Sequence, residues 1–245
     1  MLKLVSIFTI LFSTTLMADV TLDKSEELNG VTLKSGKESD VRTYIGSTEK
    51  SFPHSLEVVK KGITNFTEKC NNSYKEKRQF TNKEIDCKYH NENLVESFIV
   101  TDINKTEELK KFSEAFVVGR QVYNRGSFGY YELATMRPGK NEKNQRTLTI
   151  HLKMLNNEEV KQYISPKFSK ESAFDESTSV YTLTEVSPQE TLMRYEYSAN
   201  TDHWILNKEI SVPQVFASIS KSINDLISTV ETETSLIKRE LASQD

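Results

Sequence analysis

The chain has 245 residues, of which 36% are hydrophobic and 27% are charged, and its formal net charge is −3. These values are those of an ordinary globular protein, and they exclude a disordered chain, a collagen-like repeat and a strongly basic nucleic-acid-binding surface. No internal repeat, linker or change of composition divides the sequence, so a single main domain is predicted.

The first 18 residues have the order of a secretory signal peptide. Lys3 supplies one positive charge, residues 4–16 carry only apolar, Ser and Thr side chains, and Ala18 precedes the first acid, Asp19. This apolar run is shorter than the roughly 20 residues that a membrane-spanning helix needs. We therefore expect residues 1–18 to be removed and the mature, soluble protein to be exported, either to the periplasm or out of the cell. An uncleaved N-terminal anchor or a buried helix is the alternative.

Residues 19–40 are polar and show no periodic pattern, which predicts a loose N-terminal arm in front of a domain over residues 41–230. A first strand is predicted at residues 41–45, and a helix is predicted to begin at Ser51-Phe52-Pro53, where a hydroxyl residue precedes an early Pro. Gly62 within this helix predicts the close approach of a neighbouring strand. The helix is amphipathic, with apolar side chains at steps of three and four: Leu56, Val59, Ile63, Phe66 and Cys70.

Cys70 and Cys87 are the only cysteines of the chain. In an oxidising compartment such a pair predicts a disulfide, which would stabilise the fold by roughly 3 kcal/mol on the chain-entropy model. Two free thiols and a zinc site that also uses His90 are the alternatives. A structural zinc site takes four ligands, and this part of the sequence offers three, so no metal site is predicted.

From residue 74 the apolar pattern changes from a helical period to alternation, which predicts strands. Short connections between them favour antiparallel pairing over β-α-β crossovers. Turns are predicted at residues 124–127 and 137–140, and short helices at residues 106–112 and 158–164. The predicted strands are residues 74–80, 85–89, 94–103, 116–123, 128–136, 146–154, 180–186, 191–197 and 204–210.

The longest predicted helix ends the domain. It begins at Ser211-Val-Pro-Gln214, which matches a capping box with an early Pro. Residues 231–245 are predicted to continue as a helical tail, in which Leu236, Ile237 and Leu241 could dock a protein partner. The apolar stripe of the helix consists of Phe216, Ile219, Ile223, Leu226 and Val230, widened by Val215 and Ile227.

This order of elements resembles the START-like, helix-grip superfamily. The matching part is the C-terminal third, namely residues 191–198, residues 204–210 and the step from Val212-Pro213 into the terminal helix. The resemblance implies an α+β fold in which a curved antiparallel sheet wraps around the long C-terminal helix and encloses an apolar cavity. The strand-like residues 74–103, the Cys pair and the polar loop at residues 165–179 depart from the family pattern. Lipoprotein-carrier folds, whose curved sheet also embraces a helix, would give a similar pattern.

Aromatic side chains on the predicted strands are the main functional signal. A tyrosine presents an apolar ring with a polar tip, which suits a pocket that both holds and orients a ligand. Alternation separates Tyr130 from Tyr131, so only one of them can face inward. Plain packing of a one-sided sheet is the alternative. The predicted ligand-binding residues are Tyr130, Tyr181, Tyr195, Trp204, Phe216, Ile219 and Ile223.

No motif for a nucleophile, a phosphate loop or a metal centre is present, and His151 and His203 stand alone as acid–base candidates. We therefore predict no catalytic residue, no cofactor, no nucleic-acid partner and no membrane span, and an enzyme is disfavoured. The leading hypothesis is an exported, disulfide-bonded module that holds a small apolar molecule or lipid between sheet and C-terminal helix. The alternative is an envelope or secreted interaction protein, or structural protein, with a filled core and no small ligand.

Overall fold

The computed structural model describes residues 22–81, 83–123, 127–168 and 174–242. The predicted signal peptide, residues 1–18, lies outside the described residues, as does most of the turn predicted at residues 124–127. The helices are α1 (Leu56–Thr64), α2 (Asn157–Tyr163) and α3 (Val212–Ala242). The strands are β1 (Leu22–Leu28), β2 (Val31–Glu38), β3 (Val41–Phe52), β4 (Lys69–Cys70), β5 (Tyr89–His90), β6 (Leu94–Val100), β7 (Glu114–Tyr123), β8 (Ser127–Lys140), β9 (Arg146–Leu155), β10 (Glu176–Ser187) and β11 (Glu190–Thr201).

Nine strands form one antiparallel sheet in the order β1-β2-β3-β11-β10-β9-β8-β7-β6, while β4 and β5 form a separate parallel pair. Helix α3 lies on the concave face of the sheet because its apolar stripe is buried there. A Cβ atom at Gly46 of β3 would lie 2.8 Å from side-chain carbons of both Ile219 and Ile223, so the missing side chain lets α3 approach the strand closely. The predicted α+β fold, a curved antiparallel sheet around a long C-terminal helix, is confirmed.

The opposite, convex face of the sheet is also covered over strands β6 to β9. Helix α2 and the loops beside it pack there, and Tyr131 stacks on Phe168 with ring centroids 4.5 Å apart. Tyr130 faces the concave side, so the predicted separation of Tyr130 from Tyr131 is confirmed. This second cluster is formed by Ile103, Leu109, Ala115, Val117, Tyr131, Leu155 and Val160.

The prediction of a loose arm over residues 19–40 is wrong for the residues described, because β1 and β2 form a hairpin that extends the sheet. Asn29 and Gly30 connect the strands with φ angles of 52° and 75°. Two central residues with positive φ define the commonest type of two-residue hairpin turn, and Asn-Gly is its preferred sequence. The Asn-Gly pair was therefore the signal that a search for apolar periodicity overlooked.

The strands predicted at residues 74–80 and 85–89 are wrong, since a 3-10 helix at Asn72–Lys77 and irregular chain occupy most of this segment. The predicted disulfide between Cys70 and Cys87 is confirmed, with Cα atoms 5.5 Å apart, and it removes the zinc and free-thiol alternatives. Arg78 is buried beside it, donating from Nε to the Val95 carbonyl at 3.2 Å, with Nη2 2.7 Å from the Cys70 Sγ atom. A covalent bond and a buried guanidinium thus order a segment that lacks a strand ladder.

Several predicted boundaries of helices and strands also differ from those in the structure. Strand β3 continues through Phe52, so α1 begins at Leu56, after the N-cap residue Ser55. Strand β8 runs through the turn predicted at residues 137–140, because its pairing with β9 continues to Lys140. The helix predicted at residues 106–112 is reduced to a 3-10 turn at Leu109–Lys111.

The predicted tail is the last part of α3, which packs on α1. A Cβ atom at Gly62 would lie 2.9 Å from the Thr234 Cγ2 atom, so the close neighbour of Gly62 is a helix and not the strand expected. Ile237 is 1% exposed and Leu236 is half-buried. Ile237 is therefore occupied within the chain's own fold and is not available to a partner; the side chain of Leu241 lies outside the described part.

A buried ion pair joins this part of α3 to β4. The Glu233 Oε2 atom lies 3.2 Å from the Lys69 Nζ atom, which also donates to the Gly62 carbonyl at 3.0 Å. Burial raises the pKa of Glu233 to about 7, although the charge of Lys69 opposes this shift. Burial also lowers the pKa of Lys69, against the attraction of Glu233. Glu233 is thus held where its charged form is disfavoured.

We expect Glu233 to make stability depend on pH. Because its folded pKa exceeds the ordinary value of 4.5, protonation favours folding; the contribution is complete below about pH 4.5 and is lost as pH rises through about 7. Replacing Glu233→Gln should remove this loss, so the free energy of unfolding of the variant relative to wild type should increase by about 1–2 kcal/mol between pH 5 and pH 7. Urea unfolding at pH 5, 6 and 7 measures this difference. The more exposed Glu231→Gln is the control, and a Glu233→Gln difference that does not change with pH would contradict the assignment.

Candidate ligand-binding site

A cavity of about 560 Å³ lies between the concave face of the sheet and α3. Tyr195 and Tyr197 of β11 form its sheet side, while Ile219 and Ile223 belong to its helix side. Its volume falls within the range of about 300–1,000 Å³ that is usual for small-molecule sites. The lining residues are Phe174, Tyr195, Tyr197, Ile205, Leu206, Ser211, Gln214, Val215, Ser218, Ile219, Ser222, Ile223 and Leu226.

The cavity opens along one side of α3. Gln214, Ser218 and Ser222 recur every four residues, so they share one face of the helix, and all three are exposed. Ile205, from the loop after β11, is 44% exposed and also lines the cavity. The mouth therefore lies between this polar stripe of α3 and the loop after β11.

An ion pair occupies the concave face on strands β7 and β8. The Arg120 guanidinium hydrogen-bonds the Glu132 carboxylate through Nε, and the two side chains are 14% and 15% exposed. Burial is the largest single effect on the pKa of Arg120 and lowers it, but the charge and hydrogen bond of Glu132, together with the nearby Tyr130 and Tyr181, outweigh burial, so this pKa is raised. The two opposite charges compensate each other, so the pair adds no net charge to the interior.

Four tyrosine rings share this face with the ion pair. Tyr181 and Tyr195 are paired across β10 and β11 with ring centroids 4.8 Å apart, and the Tyr195 hydroxyl is 3.0 Å from the Ser179 Oγ atom. Burial raises the pKa of Tyr195 to about 12, and it also raises the pKa values of Tyr130 and Tyr197, with a further contribution from the charge of Glu132. All these hydroxyls are protonated near neutral pH and are able to donate hydrogen bonds.

Five of the seven predicted site residues come together on this concave side. Ile219, Ile223 and Tyr195 line the cavity, and Tyr181 pairs with Tyr195. Tyr130 pairs with Arg120 across β7 and β8, and Tyr195 is near enough to add a small contribution to the raised pKa of Tyr130.

Phe216 and Trp204 are not part of this group. Phe216 is buried beyond the cavity, with its ring edge-on to Tyr44 at a centroid distance of 6.2 Å. The strand predicted at residues 204–210 is wrong, because the structure has no strand there. Trp204 lies in a loop instead and is 71% exposed. Strand β11 already has β3 and β10 as neighbours, so the chain after Thr201 forms turns and a short 3-10 helix instead.

Arg120 and Glu132 are the main residues that the sequence analysis missed. Arg120 is in phase with Phe116 and Val118, so the apolar alternation of β7 places a charge on the buried face. Glu132 stands in the same relation to Ala134 on the neighbouring strand. Two opposite charges, each on the buried face of adjacent predicted strands, were the signal that could have revealed them.

Within the described ranges, no group of three or more His, Cys, Asp or Glu side chains could hold a metal ion. In the same part of the chain, no helix combines the length and apolar character that a membrane span requires.

No protein-family model matches the sequence, and no curated protein matches it either. Among solved structures, that of human STARD10 is similar, with a TM-score of 0.51 and 12% identity over 91% of this chain and 78% of that chain. The chain has the START-like helix-grip fold. Human StAR-related lipid transfer protein 5 gives a TM-score of 0.47 and 12% identity over 91% of this chain and 89% of its own. A fragment of the STAR-related lipid transfer protein from Xanthomonas axonopodis gives 0.46 and 9% over 88% of this chain and 98% of its own.

Such low identity establishes the START-like fold alone, because one fold carries many functions. What this chain binds must therefore be argued from its own cavity and its own charged pair.

We expect the Arg120–Glu132 pair to be sensitive to the loss of one partner and more tolerant of the loss of both. Arg120→Met leaves a carboxylate uncompensated in the interior and should cost about 3 kcal/mol of unfolding free energy. The double variant Arg120→Met/Glu132→Leu should recover much of this cost, since no unpaired charge remains. Urea unfolding measures both.

Lys161→Met is the matched control, because Lys161 pairs with Glu158 at the surface, where both side chains are more than half exposed. Its effect should stay below about 0.5 kcal/mol. A double variant that is as unstable as Arg120→Met would show that the charges are compensated by something other than each other.

Proposed function

We propose that this protein is an exported binding protein that holds one amphipathic, lipid-sized molecule between the sheet and α3. The observation that carries the proposal is the cavity of about 560 Å³, whose walls come from β11 and α3 and which the chain's own side chains leave unfilled. An apolar ligand gains free energy by displacing water from such walls, at about 25 cal/mol per Å² of apolar surface.

The polar groups of the concave face indicate what the ligand's polar part should be. The charges of Arg120 and Glu132 compensate each other, so a ligand carboxylate or phosphate would enter an interior with no net positive charge to balance it. The hydroxyls of Tyr130 and Tyr197 make no hydrogen bond with another described residue, and they are able to donate to an oxygen atom. An uncharged oxygen, as in an alcohol, ketone or ester, suits this environment best.

Export is supported by the pattern of residues 1–18 and is compatible with the disulfide. Disulfides persist in oxidising compartments and are rare in the cytosol. Cys70 and Cys87 are bonded in the folded chain, so a periplasmic or extracellular location fits the covalent structure.

The alternative of an interaction protein with a filled core has less support. The space between sheet and helix is not filled, and Ile237 is 1% exposed, so it offers no docking surface. A bound small molecule therefore accounts for the cavity better than a protein partner does.

Ligand binding is tested on the mature chain purified without detergent. Mass spectrometry of an organic extract should show a bound apolar molecule, and a fluorescent long-chain probe should bind and be displaced. Ser218→Trp, which places a large ring at the mouth, should weaken probe binding by about tenfold, equivalent to about 1.4 kcal/mol of lost contact. Ser228→Trp is the matched control, because Ser228 is an exposed residue of the same helix outside the cavity lining.

The nature of the polar group is tested with a long-chain alcohol and a long-chain carboxylic acid of equal length. The alcohol should displace the probe at the lower concentration. Native protein with no extractable molecule and no probe binding would overturn the proposed function. Stronger displacement by the acid would overturn the uncharged polar group alone.

A further inference from the structure

Arg78 holds a positive charge in the interior against oxygen acceptors that are all neutral. Its side chain is 2% exposed. The Nε atom donates to the Val95 carbonyl at 3.2 Å, and Nη1 donates to the Ile85 carbonyl. The Nη2 atom donates to the Asn72 side-chain oxygen at 3.1 Å. A buried charge is costly unless an opposite charge accompanies it, so this guanidinium is placed to receive an anion.

The remaining contacts of Arg78 are with the disulfide. The Nη2 atom lies 2.7 Å from the Cys70 Sγ atom and 3.4 Å from the Cys87 Sγ atom. A disulfide sulfur is neutral, whereas breaking the bond creates a thiolate, and a neighbouring guanidinium favours the thiolate form of a cysteine. Arg78 therefore stabilises a reduced, ionised Cys70 more than it stabilises the disulfide.

The two sulfur atoms differ in their access to solvent. Cys70 is 1% exposed, while Cys87 is half-buried and follows residues 83–86, which are all exposed. Cys87 also lines a cavity of about 210 Å³, together with Arg78, whereas Cys70 is not part of this lining. A nucleophile from solvent therefore reaches Cys87, and the bond that it would break leads to the buried Cys70.

The carboxylate of Glu96 lines the same small cavity but is already occupied. It accepts hydrogen bonds from the backbone N–H groups of Gln79, Phe80 and Thr81 at 2.6–2.9 Å. The backbone thus stabilises the charge of Glu96, and the guanidinium of Arg78 stays directed at the sulfur atoms. The cavity is smaller than the usual range of about 300–1,000 Å³ for drug-sized ligands, so it suits a compact reactant.

We infer that the Cys70–Cys87 disulfide is a thiol–disulfide exchange site, at which a low-molecular-weight thiol such as glutathione attacks Cys87 and Cys70 leaves as a thiolate paired with Arg78. The incoming thiolate forms a new S–S bond with the Cys87 Sγ atom. The Cys70–Cys87 bond breaks, and its electron pair remains on the Cys70 Sγ atom.

A second thiol completes the exchange. Its thiolate attacks the small-molecule sulfur of the mixed disulfide and releases the disulfide of the two small thiols, while the electron pair of the broken bond passes to Cys87. Two thiols are thereby oxidised and one protein disulfide is reduced. Of the two protons that the thiols lose, Cys87 takes up one and solvent takes up the other, since Cys70 stays ionised beside Arg78. The site shares no residue with the lining of the cavity under α3, so this inference does not depend on the proposed function.

The position of attack is tested on the unmodified mature protein. The oxidised chain is incubated with glutathione, free thiols are alkylated with iodoacetamide, and the peptides are identified by mass spectrometry without reduction. Adducts at Cys87, with alkylated Cys70, should exceed adducts at Cys70 by about tenfold. Urea-unfolded protein is the control, because it lacks the contact with Arg78 and the difference in burial, and its preference should disappear.

The role of Arg78 is tested with the matched variants Cys87→Ser and Cys70→Ser, each of which has one thiol and lacks the disulfide. An ordinary cysteine is mostly protonated at pH 6. Cys87→Ser should nevertheless show ultraviolet thiolate absorbance at this pH, because Cys70 remains beside the guanidinium, whereas Cys70→Ser should not. Adding Arg78→Met to Cys87→Ser should abolish the signal, and adding Arg78→Lys, which keeps a positive charge, should retain much of it.

The wild-type experiment decides the inference even where a variant fails to fold. A disulfide that glutathione leaves intact, or adducts distributed equally between the two cysteines of the folded chain, would overturn it. Equal thiolate absorbance of folded Cys87→Ser and Cys70→Ser would also overturn it. Binding of the long-chain probe to the wild-type protein is measured separately, so its loss or retention bears on the proposed function alone.

Discussion

The seating of α3 on the concave face of the sheet is the constraint on which the rest of the structure depends. Nine strands spaced about 4.8 Å apart present a face nearly 40 Å across when flat, whereas one helix with its side chains is about 10 Å wide. Gly46 lets α3 lie tightly against β3, and α1 packs beside its later turns. The helices cover only part of the curved face, so a cavity remains between β11 and α3.

The polar groups on the concave face of the sheet have a cost that folding alone does not justify. A buried ion pair such as Arg120–Glu132 contributes little net stability compared with apolar side chains of similar size, because both charges must be removed from water. The pair together with tyrosine hydroxyls such as that of Tyr130 instead fixes a polar location with no net charge on an otherwise apolar face. That combination is characteristic of a site that orients a ligand.

Sequence reasoning correctly predicted those helices and strands that bury a single apolar face. Helix α3 follows its apolar stripe, and strand β9 follows the alternation of Leu148, Ile150 and Leu152, because in both a single apolar side meets the core. It failed at residues 74–89, where Arg78 and the disulfide determine the conformation through contacts distant in sequence. The ion pair was missed for a related reason: a search for apolar alternation treats Arg120 as an interruption, although its phase placed it inside.

The strand predicted at residues 204–210 is absent from the structure, and this error concerns the loop beside the candidate site. Trp204, Leu206 and Ile210 share one phase of a two-residue alternation, although Ile205 falls in the other phase, and such a pattern does not show what covers the apolar side. A strand there would need an unpaired sheet edge, and β11 has none because β3 and β10 flank it. The loop turns Leu206 toward the core and leaves Trp204 and Ile210 in water. Local rules fail most often where a sequence serves a surface other than its own core, and this loop lies beside the mouth of the cavity.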